Sequence, residues 1–232
     1  MEDLSSLLKK ELTKKGASII GFADLSDIPL DKRNEMPYGI SIAVALNPHI
    51  ILGIKNGPTQ EYYGEYNKVN EHLDNLVKYA GKILNDYGYK AILKTTTEVV
   101  VESNSYSTIL PHKTVATRAG MGWIGKCALL VTKEYGSAIR LSSVLTDAPL
   151  KVGTPINESQ CGSCCACKLA CPGNAPLGEN WNVNKHRESF FNAYNCRKAA
   201  REKAAKVGIN STICGKCIEA CPWTRKYLDR HK

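Results

Sequence analysis

The chain has 232 residues, 43% of them hydrophobic and 23% charged, which is the composition of a globular protein with a buried core. We expect no secretory leader and no transmembrane helix, and ten cysteines in such a chain favour metal ligation in a reducing cytoplasm over a disulfide framework. The formal net charge of +9 favours an anionic partner over a cationic one.

The first part of the chain shows alternating helix and strand patterns. An amphipathic helix with Leu4, Leu8 and Leu12 on one face is predicted to end before Gly16, and a longer helix presents an apolar face from Val69 to Leu84. Strands are predicted in ASIIGFADL, GISIAVALN, YKAILKTTT, CALLVT and AIRLSSVLT. The polar segment Ser103 to Ser107 leads to a short helical stretch that starts from Pro111, Ala138 begins the last of the strands, and the pattern ends near Pro149.

This alternation predicts a mixed fold, α+β or α/β, with a helix-covered sheet domain over residues 1–150 and a cysteine-rich domain over residues 151–232. The segment Lys151 to Gln160 links the two domains. Within the second domain, a basic stretch that contains Cys196 is predicted to be helical.

Five cysteines occur within eleven residues, in the sequence CGSCCACKLACP that starts at Cys161. Four of them and the final proline match C-x2-C-x2-C-x3-C-P, the run that ligates 4Fe-4S clusters in bacterial ferredoxins. In that run, three thiolates ligate one cubane and the fourth ligates a neighbouring cluster. A second run, CGKCIEACP, adds Cys214, Cys217 and Cys221, and Cys196 supplies the cysteine that this shorter run lacks.

The eight cysteines predict a ferredoxin-like domain with two 4Fe-4S clusters. The first cluster is assigned to Cys161, Cys164, Cys167 and Cys221, and the second to Cys171, Cys196, Cys214 and Cys217. Zinc is the alternative, because C-x2-C pairs also suit tetrahedral sites, but it fits such dense cysteines poorly. Cys127 and Cys165 are left over, either as spare redox thiols or ligands or, more simply, as small buried apolar residues.

A second unusual stretch is AGMGWIGK, from Ala119 to Lys126. Dense glycines let the backbone approach a ligand closely, and a lysine beside exposed amides can hold an anionic group. A helix-to-strand turn with a tryptophan in the core gives the same pattern, so both interpretations stay open.

Together, the cysteine runs and AGMGWIGK resemble the epoxyqueuosine reductase family, cobalamin-dependent 4Fe-4S enzymes related to reductive dehalogenases. The resemblance also covers GASIIGFADL, YYGEYNKV, LTDAPL and the final CPW. It implies a reductive-dehalogenase-like sheet domain that holds a corrinoid, whose cobalt a nearby cluster reduces to the nucleophilic Co(I) state. By position, the residues it places near the corrin are Gly120, Gly122, Trp123, Ile124, Gly125 and Lys126.

The chain departs from the family pattern at three places. Counting back from Ala119, the family's proposed catalytic aspartate falls on Tyr106, a phenol that can donate a proton or can simply pack with a tethered hydroxyl. Tyr66 and Asn67 stand where the family often has tyrosine and histidine. The sequence also stops soon after Trp223, so we expect a short form without the C-terminal helical-repeat domain.

The resulting hypothesis is a cytoplasmic redox protein that passes electrons from two clusters to a corrinoid, with a donor such as ferredoxin or flavodoxin. The alternative is an electron-transfer protein that serves a partner enzyme and has no substrate of its own. From Cys161 onward there are 13 Lys and Arg against 5 Asp and Glu, and this basic region can dock a partner or remain a solvated surface. It can also attract tRNA, but the chain contains no recognised RNA-binding module, so tRNA is the weakest partner hypothesis and stays open.

Overall fold

The computed structural model describes residues 3–95, 106 and 108–231. The helices are α1 (Leu4–Lys14), α2 (Pro48–Gly53), α3 (Gln60–Asp86), α4 (His112–Arg118), α5 (Ala166–Ala170), α6 (Ala193–Ala205), α7 (Lys216–Glu219) and α8 (Pro222–Asp229). The strands are β1 (Ile19–Asp24), β2 (Tyr38–Ala45), β3 (Ala91–Lys94), β4 (Trp123–Ile124), β5 (Leu130–Val131) and β6 (Ile139–Thr146). Short 3-10 turns occupy Ile54–Asn56 and Arg187–Ser189. The predicted mixed α and β class is confirmed.

The chain packs into two compact units, each assembled from three segments. The sheet unit contains Met1–Val44, Val69–Met121 and Arg140–Ile156, and the cysteine unit contains Ala45–Lys68, Gly122–Ile139 and Asn157–Lys232. Two segments from before residue 150 therefore pack with the cysteine-rich part of the chain. The prediction that residues 1–150 bind a corrinoid and residues 151–232 bind two clusters remains untested by this division.

A four-stranded sheet, in the order β1-β2-β6-β3, forms the centre of the sheet unit. β1 and β2 are antiparallel with Ile19 opposite Ala43, and β3 and β6 are antiparallel with Ala91 opposite Thr146. Six of the eight residues of β2 are buried, as its nearly continuous apolar sequence predicted. The strand predicted in YKAILKTTT is confirmed for Ala91–Lys94, and its end lies outside the described residues.

The predicted helices of the sheet unit form where their apolar periodicity placed them. In α1, Leu8 and Leu12 are fully buried, the carboxylate of Asp3 accepts a hydrogen bond from the amide of Ser6 at 3.2 Å, and Gly16 follows the last turn with φ of +95°. α3 contains the predicted apolar face but begins earlier, at Gln60. Among the described residues, no helix combines the length and the apolar composition needed to cross a bilayer.

Two predicted elements are shorter than their sequence patterns suggested. The strand predicted in CALLVT covers only Leu130–Val131, because Ala128 has φ of +58° and donates its amide to the carbonyl of Gly125 in a turn. The helix predicted around Cys196 begins at Ala193, because the side chain of Asn192 caps it by accepting from the amide of Asn195 at 2.9 Å.

Close packing against β1 fixes the segment that follows α4. A Cβ atom on Gly21 would lie 2.7 Å from Cγ of Met121 and 2.9 Å from Cβ of Ala119, so only glycine allows this approach. The short helix predicted from Pro111 is confirmed as α4, and it ends at the start of the glycine-rich stretch.

His112, the first residue of α4, titrates abnormally. Burial, followed by the charge of Arg140, lowers the pKa of His112 to about 4, and its Nδ1 lies 2.8 Å from the hydroxyl of Ser143. In the unfolded chain histidine has its usual pKa of about 6.5, so between these values the unfolded chain binds a proton that the folded chain excludes.

We therefore expect the free energy of unfolding to fall by about 2–3 kcal/mol through this group as the pH falls from about 6.5 to about 4. Urea denaturation across this range measures the loss, and the variant His112→Gln should show a shallower dependence on pH. An identical dependence in the variant would contradict the assignment.

Candidate metal centre

The four cysteines assigned to the first cluster line one cavity of the cysteine unit. This cluster cavity has a volume of about 90 Å³, and its lining consists of Gly125, Lys126, Cys127, Val131, Cys161, Cys164, Cys167, Cys221, Pro222 and Trp223. A Cβ atom on Gly125 would lie at ordinary contact distance from two thiols, 3.7 Å from Sγ of Cys161 and 3.6 Å from Sγ of Cys127, and only 2.8 Å from Cγ2 of Val131. The residues present therefore fit a group held by several thiolates.

The first cysteine run reaches the cavity through a turn and a short helix. The amide of Cys164 donates to the carbonyl of Cys161 at 3.0 Å, and α5 then carries Cys167. Cys171 ends this helix with an extended backbone, at φ of −76° and ψ of 117°, because the residue before a proline avoids the helical region. Cys171 does not line the cluster cavity.

Cys221 reaches the same cavity from the N-terminus of α8, where it is the cap residue. Hydrogen bonds from other segments of the cysteine unit hold α8 in place. The hydroxyl of Tyr227 donates to the carbonyl of Leu46 at 2.9 Å, and the amide of Ser137 donates to the hydroxyl of Thr224 at 3.1 Å. Leu46 and Ser137 are far from the cysteine runs in the sequence, and Thr224 and Tyr227 follow Cys221 on α8. Contacts outside the cysteine runs therefore position the Cys221 thiol.

A second group of thiols contains Cys171, Cys196 and Cys214. Burial first, and then the charges of Cys171 and Cys214, raise the pKa of Cys196 to about 11, so the three side chains are electrostatic neighbours. The amide of Ala175 donates to Sγ of Cys171 at 3.4 Å. Amide donors of this kind stabilise a ligating sulfur and tune the potential of a cluster. The assignment of Cys217 to this group remains a prediction.

The acid-base state of these thiols couples cluster assembly to proton release. Burial is the largest cause of the raised pKa of Cys214 and of Cys221. At neutral pH such thiols keep their protons, whereas iron binds thiolates. Assembly of a cluster at these thiols would therefore release their protons, and the positive charge of iron would compensate for the burial of the thiolates.

The arrangement of the cysteines favours a cluster over a single metal ion. All ten cysteines, each within the described part of the chain, are free thiols. Within residues 3–95, 106 and 108–231, no three His, Cys, Asp or Glu side chains converge closely enough to ligate one ion. The four predicted ligands among the five thiols that line the cavity instead suit a cubane, in which each thiolate would ligate a different iron, better than they suit tetrahedral zinc.

The glycines of AGMGWIGK are required by the packing of the chain on itself. A Cβ on Gly120 would lie 2.6 Å from the carbonyl oxygen of Thr154, and one on Gly122 would lie 2.2 Å from that of Val131. Gly120 also has φ of +72°. These close approaches agree with the interpretation of the stretch as a helix-to-strand turn. Gly125 differs from the other two glycines because it lines the cluster cavity.

The remaining residues of the stretch are buried. Trp123 is 1% exposed in β4, and its ring contacts that of Trp223 edge to face, with 5.2 Å between centroids. Ile124 is 6% exposed beside it, and Lys126 is 5% exposed and lines the cluster cavity. Their predicted contact with a corrin remains a prediction.

Three other predicted positions have different outcomes. Tyr106 is 41% exposed with φ of +48°, and its role as proton donor remains a prediction because residues 96–105 and 107 lie outside the described residues. Cys127 is buried, as predicted. The same prediction is wrong for Cys165, which is exposed, because it precedes α5 on a surface turn.

Four residues of the cavity lining were not assigned to the site from the sequence: Cys127, which was left open as a spare thiol or ligand, Val131, Pro222 and Trp223. The adjacency of Cys127 to Lys126 is a signal that could have identified it, since Gly125 and Lys126 of the same GWIGKC segment (residues 122–127) also line the cavity. The CPW sequence that follows Cys221 is the corresponding signal for Trp223.

Removal of one predicted ligand should reduce the iron content. We expect about eight irons per chain after anaerobic reconstitution, and a loss of up to about four in Cys221→Ala, which loses a cavity thiol. Cys165→Ala, which changes an exposed cysteine of the same run, is the matched control and should keep the full content. Equal iron in both variants would contradict the ligand assignment.

Comparison with known proteins identifies relatives of one kind. No family model matches the chain. The epoxyqueuosine reductase of Aliivibrio fischeri is 39% identical over 116 residues, which are 50% of this chain and 31% of that relative. Further curated relatives of the same name are similar, down to 31% identity over 165 residues in Atelocyanobacterium thalassa. The matched segments span less than half the length of these relatives.

Solved structures share the fold over nearly the whole chain. A catabolic reductive dehalogenase in complex with 3-bromo-4-hydroxybenzoic acid superposes with a TM-score of 0.74 at 16% identity, over 95% of this chain and 32% of that one. An epoxyqueuosine reductase with an epoxyqueuosine-modified tRNA stem loop superposes with a TM-score of 0.61 at 23% identity, over 96% of this chain and 65% of that one. At these identities the likeness shows the fold alone.

The curated matches supply the sequence relationship, and the solved structures supply the common architecture. Both agree with the resemblance predicted from AGMGWIGK and the cysteine runs. The chain is thus similar in sequence to epoxyqueuosine reductases over half or more of its own length, and it has the fold that they share with reductive dehalogenases.

Proposed function

We propose that the protein is an iron-sulfur oxidoreductase that passes electrons from two 4Fe-4S clusters to a bound corrinoid for the reduction of a substrate. The observation that carries this proposal is the cluster cavity, where thiols from both cysteine runs meet the GWIGKC segment. When bound, a corrinoid supplies a cobalt centre that accepts electrons one at a time. An external donor of the ferredoxin or flavodoxin type provides those electrons.

Charge at the cavity supports an anionic group there. Lys126 is 5% exposed and lines the cavity, and a buried ammonium group is costly unless a negative charge lies close to it. A 4Fe-4S cluster with four thiolates carries about two net negative charges. Lys126 and the cluster would therefore compensate each other's burial, and the lysine would make the cluster easier to reduce.

An unsatisfied donor supports a further bound group near β4. The indole Nε1 of Trp123 is buried and has no hydrogen-bond partner among the residues that the structure describes. Buried donors in native proteins almost always have a partner, so this one fits a chain that binds an additional group. The Trp123 side chain is fixed by its contact with Trp223, so the donor would be preorganised.

The helix that carries Cys196 offers a surface for the electron donor. On α6, the exposed side chains include Lys198 and Arg201, and Lys206 follows at its end. Ferredoxins and flavodoxins that meet a basic surface next to a cluster would bind by charge attraction, and their electrons would then enter through the second cluster.

A modified tRNA is the first substrate to test, because one solved relative is described in complex with an epoxyqueuosine-modified tRNA stem loop. The same basic charge of the cysteine unit would attract its phosphates, although the chain spans only part of that relative. Under this proposal Tyr106, which is partly exposed, donates the proton that accompanies reduction.

Cobalamin binding is the direct test of the corrinoid. Addition of cobalamin to the reconstituted protein should shift its visible spectrum to the base-off form, and a low-potential reductant should then give the Co(I) spectrum. An unchanged spectrum in protein that holds about eight irons would contradict the corrinoid proposal. That result would instead favour an electron-transfer protein that serves a partner enzyme.

Reversal of charge on α6 should slow electron entry. We expect the variant Lys198→Glu/Arg201→Glu to be reduced by an acidic flavodoxin about tenfold more slowly at low salt, with the difference shrinking as salt screens the charges. The control Lys9→Glu/Lys32→Glu changes the net charge equally at exposed positions of the sheet unit and should be reduced at the original rate. Stopped-flow absorbance measures these rates, and equal slowing in both variants would contradict a docking surface on α6.

A further inference from the structure

Another cavity lies within the sheet unit, where the C-terminal end of α1 meets one face of α3. This α1–α3 cavity has a volume of about 250 Å³, and its lining consists of Lys15, His72, Asn75, Leu76 and Tyr79. Lys15 is the C-cap of α1, and the other four recur at helical spacing along α3. Pockets for drug-sized ligands have volumes of roughly 300–1,000 Å³, so this cavity suits a smaller molecule.

Contacts between the two helices hold the ammonium group of Lys15 at the cavity. Its Nζ lies 4.4 Å from the centroid of the Tyr79 ring, in a cation–π contact. The Tyr79 hydroxyl donates to the carboxylate of Glu11 at 3.4 Å, and Lys14 donates to the same carboxylate at 2.8 Å. Within the described part of the chain, no carboxylate pairs with Lys15 itself. Its charge is therefore available to a ligand.

Two further side chains bring hydrogen-bond donors to the same cavity. The imidazole of His72 packs on the turn that ends α1, where a Cβ atom on Gly16 would lie 2.9 Å from its Nε2. Gly16 follows Lys15 with φ of +95°, so this turn brings the lysine and the ring together. Among residues 3–95, 106 and 108–231, the side chains of His72 and Asn75 have no hydrogen-bond partner. Both can therefore donate to a bound molecule.

The chemistry of this lining favours an anion with several acceptor oxygens. The described residues that line the cavity include no acidic side chain, and three of them supply an ammonium, an imidazole and an amide group. A phosphate monoester carries up to about two negative charges and three acceptor oxygens, which matches that set of donors. Leu76 and the ring of Tyr79 add apolar atoms that a small organic substituent would contact.

We propose that the α1–α3 cavity binds a small phosphate monoester, whose phosphate group accepts hydrogen bonds from Lys15, His72 and Asn75. This site is separate from the proposed function and requires neither the clusters nor a corrinoid. The phosphate joins the end of α1 to α3, so binding stabilises the folded sheet unit by mass action. Because Lys15 and Asn75 are exposed, salt screens the attraction, and we expect a Kd of about 1 mM.

Nuclear magnetic resonance of the reconstituted, ¹⁵N-labelled protein tests the site, with phenyl phosphate and inorganic phosphate as probes at matched ionic strength. The side-chain amide of Asn75 and the backbone amide of Gly16 should shift, and phenyl phosphate should bind several-fold more tightly than inorganic phosphate. Lys15→Gln should weaken binding about tenfold, the scale of one charge-assisted hydrogen bond. Lys9→Gln removes the same charge elsewhere on α1 and should bind as the original protein does.

Asn75→Asp places a carboxylate beside the phosphate and should weaken binding about tenfold or more, followed at Gly16, whereas Asn85→Asp adds the same charge farther along α3 and should have no effect. These four substituted positions are exposed, so the variants should fold. Equal weakening in Lys15→Gln and Lys9→Gln would overturn the site, because only general charge would then attract the probe. Equal affinity for both probes would overturn the monoester. Unshifted Asn75 and Gly16 signals at about 20 mM probe would overturn binding altogether.

Discussion

The cysteine unit depends on one constraint, which is that thiols far apart in the sequence must meet around a single cavity. Cys161 and Cys221 are 60 residues apart, yet both line it. The first run is organised locally by its turn and α5, and the second run by α7. Cys221 is placed by hydrogen bonds of α8, where Tyr227 donates to the Leu46 carbonyl. Because these bonds do not involve iron, part of the entropy cost of gathering the ligands is met by folding of the protein.

The same enclosure that gathers the thiols also disfavours their ionised form. Burial raises the pKa of Cys196, Cys214 and Cys221, and thiolates at these positions are therefore unfavourable until iron is present. The positively charged side chain of Lys126 is also costly to bury, and it is almost fully buried in the lining of the cavity. A bound 4Fe-4S cluster would offset both costs, because its irons would neutralise the thiolates and its net negative charge would balance the lysine.

The sequence predicted the features that repeat at short range and missed those that depend on distant partners. Apolar periodicity located β2 and α3, and cysteine spacing identified the runs, because both signals reflect neighbours within one segment. The packing of residues 45–68 and 122–139 with the cysteine-rich part was not predictable in this way. Composition also could not separate Cys127 from Cys165, since one is buried and the other exposed only through the tertiary placement of their turns.

The GWIGKC segment shows how a structural and a functional requirement are met by the same residues. Gly122 has no room for a side chain because the carbonyl oxygen of Val131 occupies that space, so the packing of the chain on itself already requires glycine there. The backbone that it permits is nevertheless what brings Gly125, Lys126 and Cys127 to the cluster cavity. A side chain at Gly122 would therefore displace Gly125, Lys126 and Cys127 together from the lining of the cavity. Glycine patterns of this kind indicate a binding site through the geometry they impose on the residues that follow them.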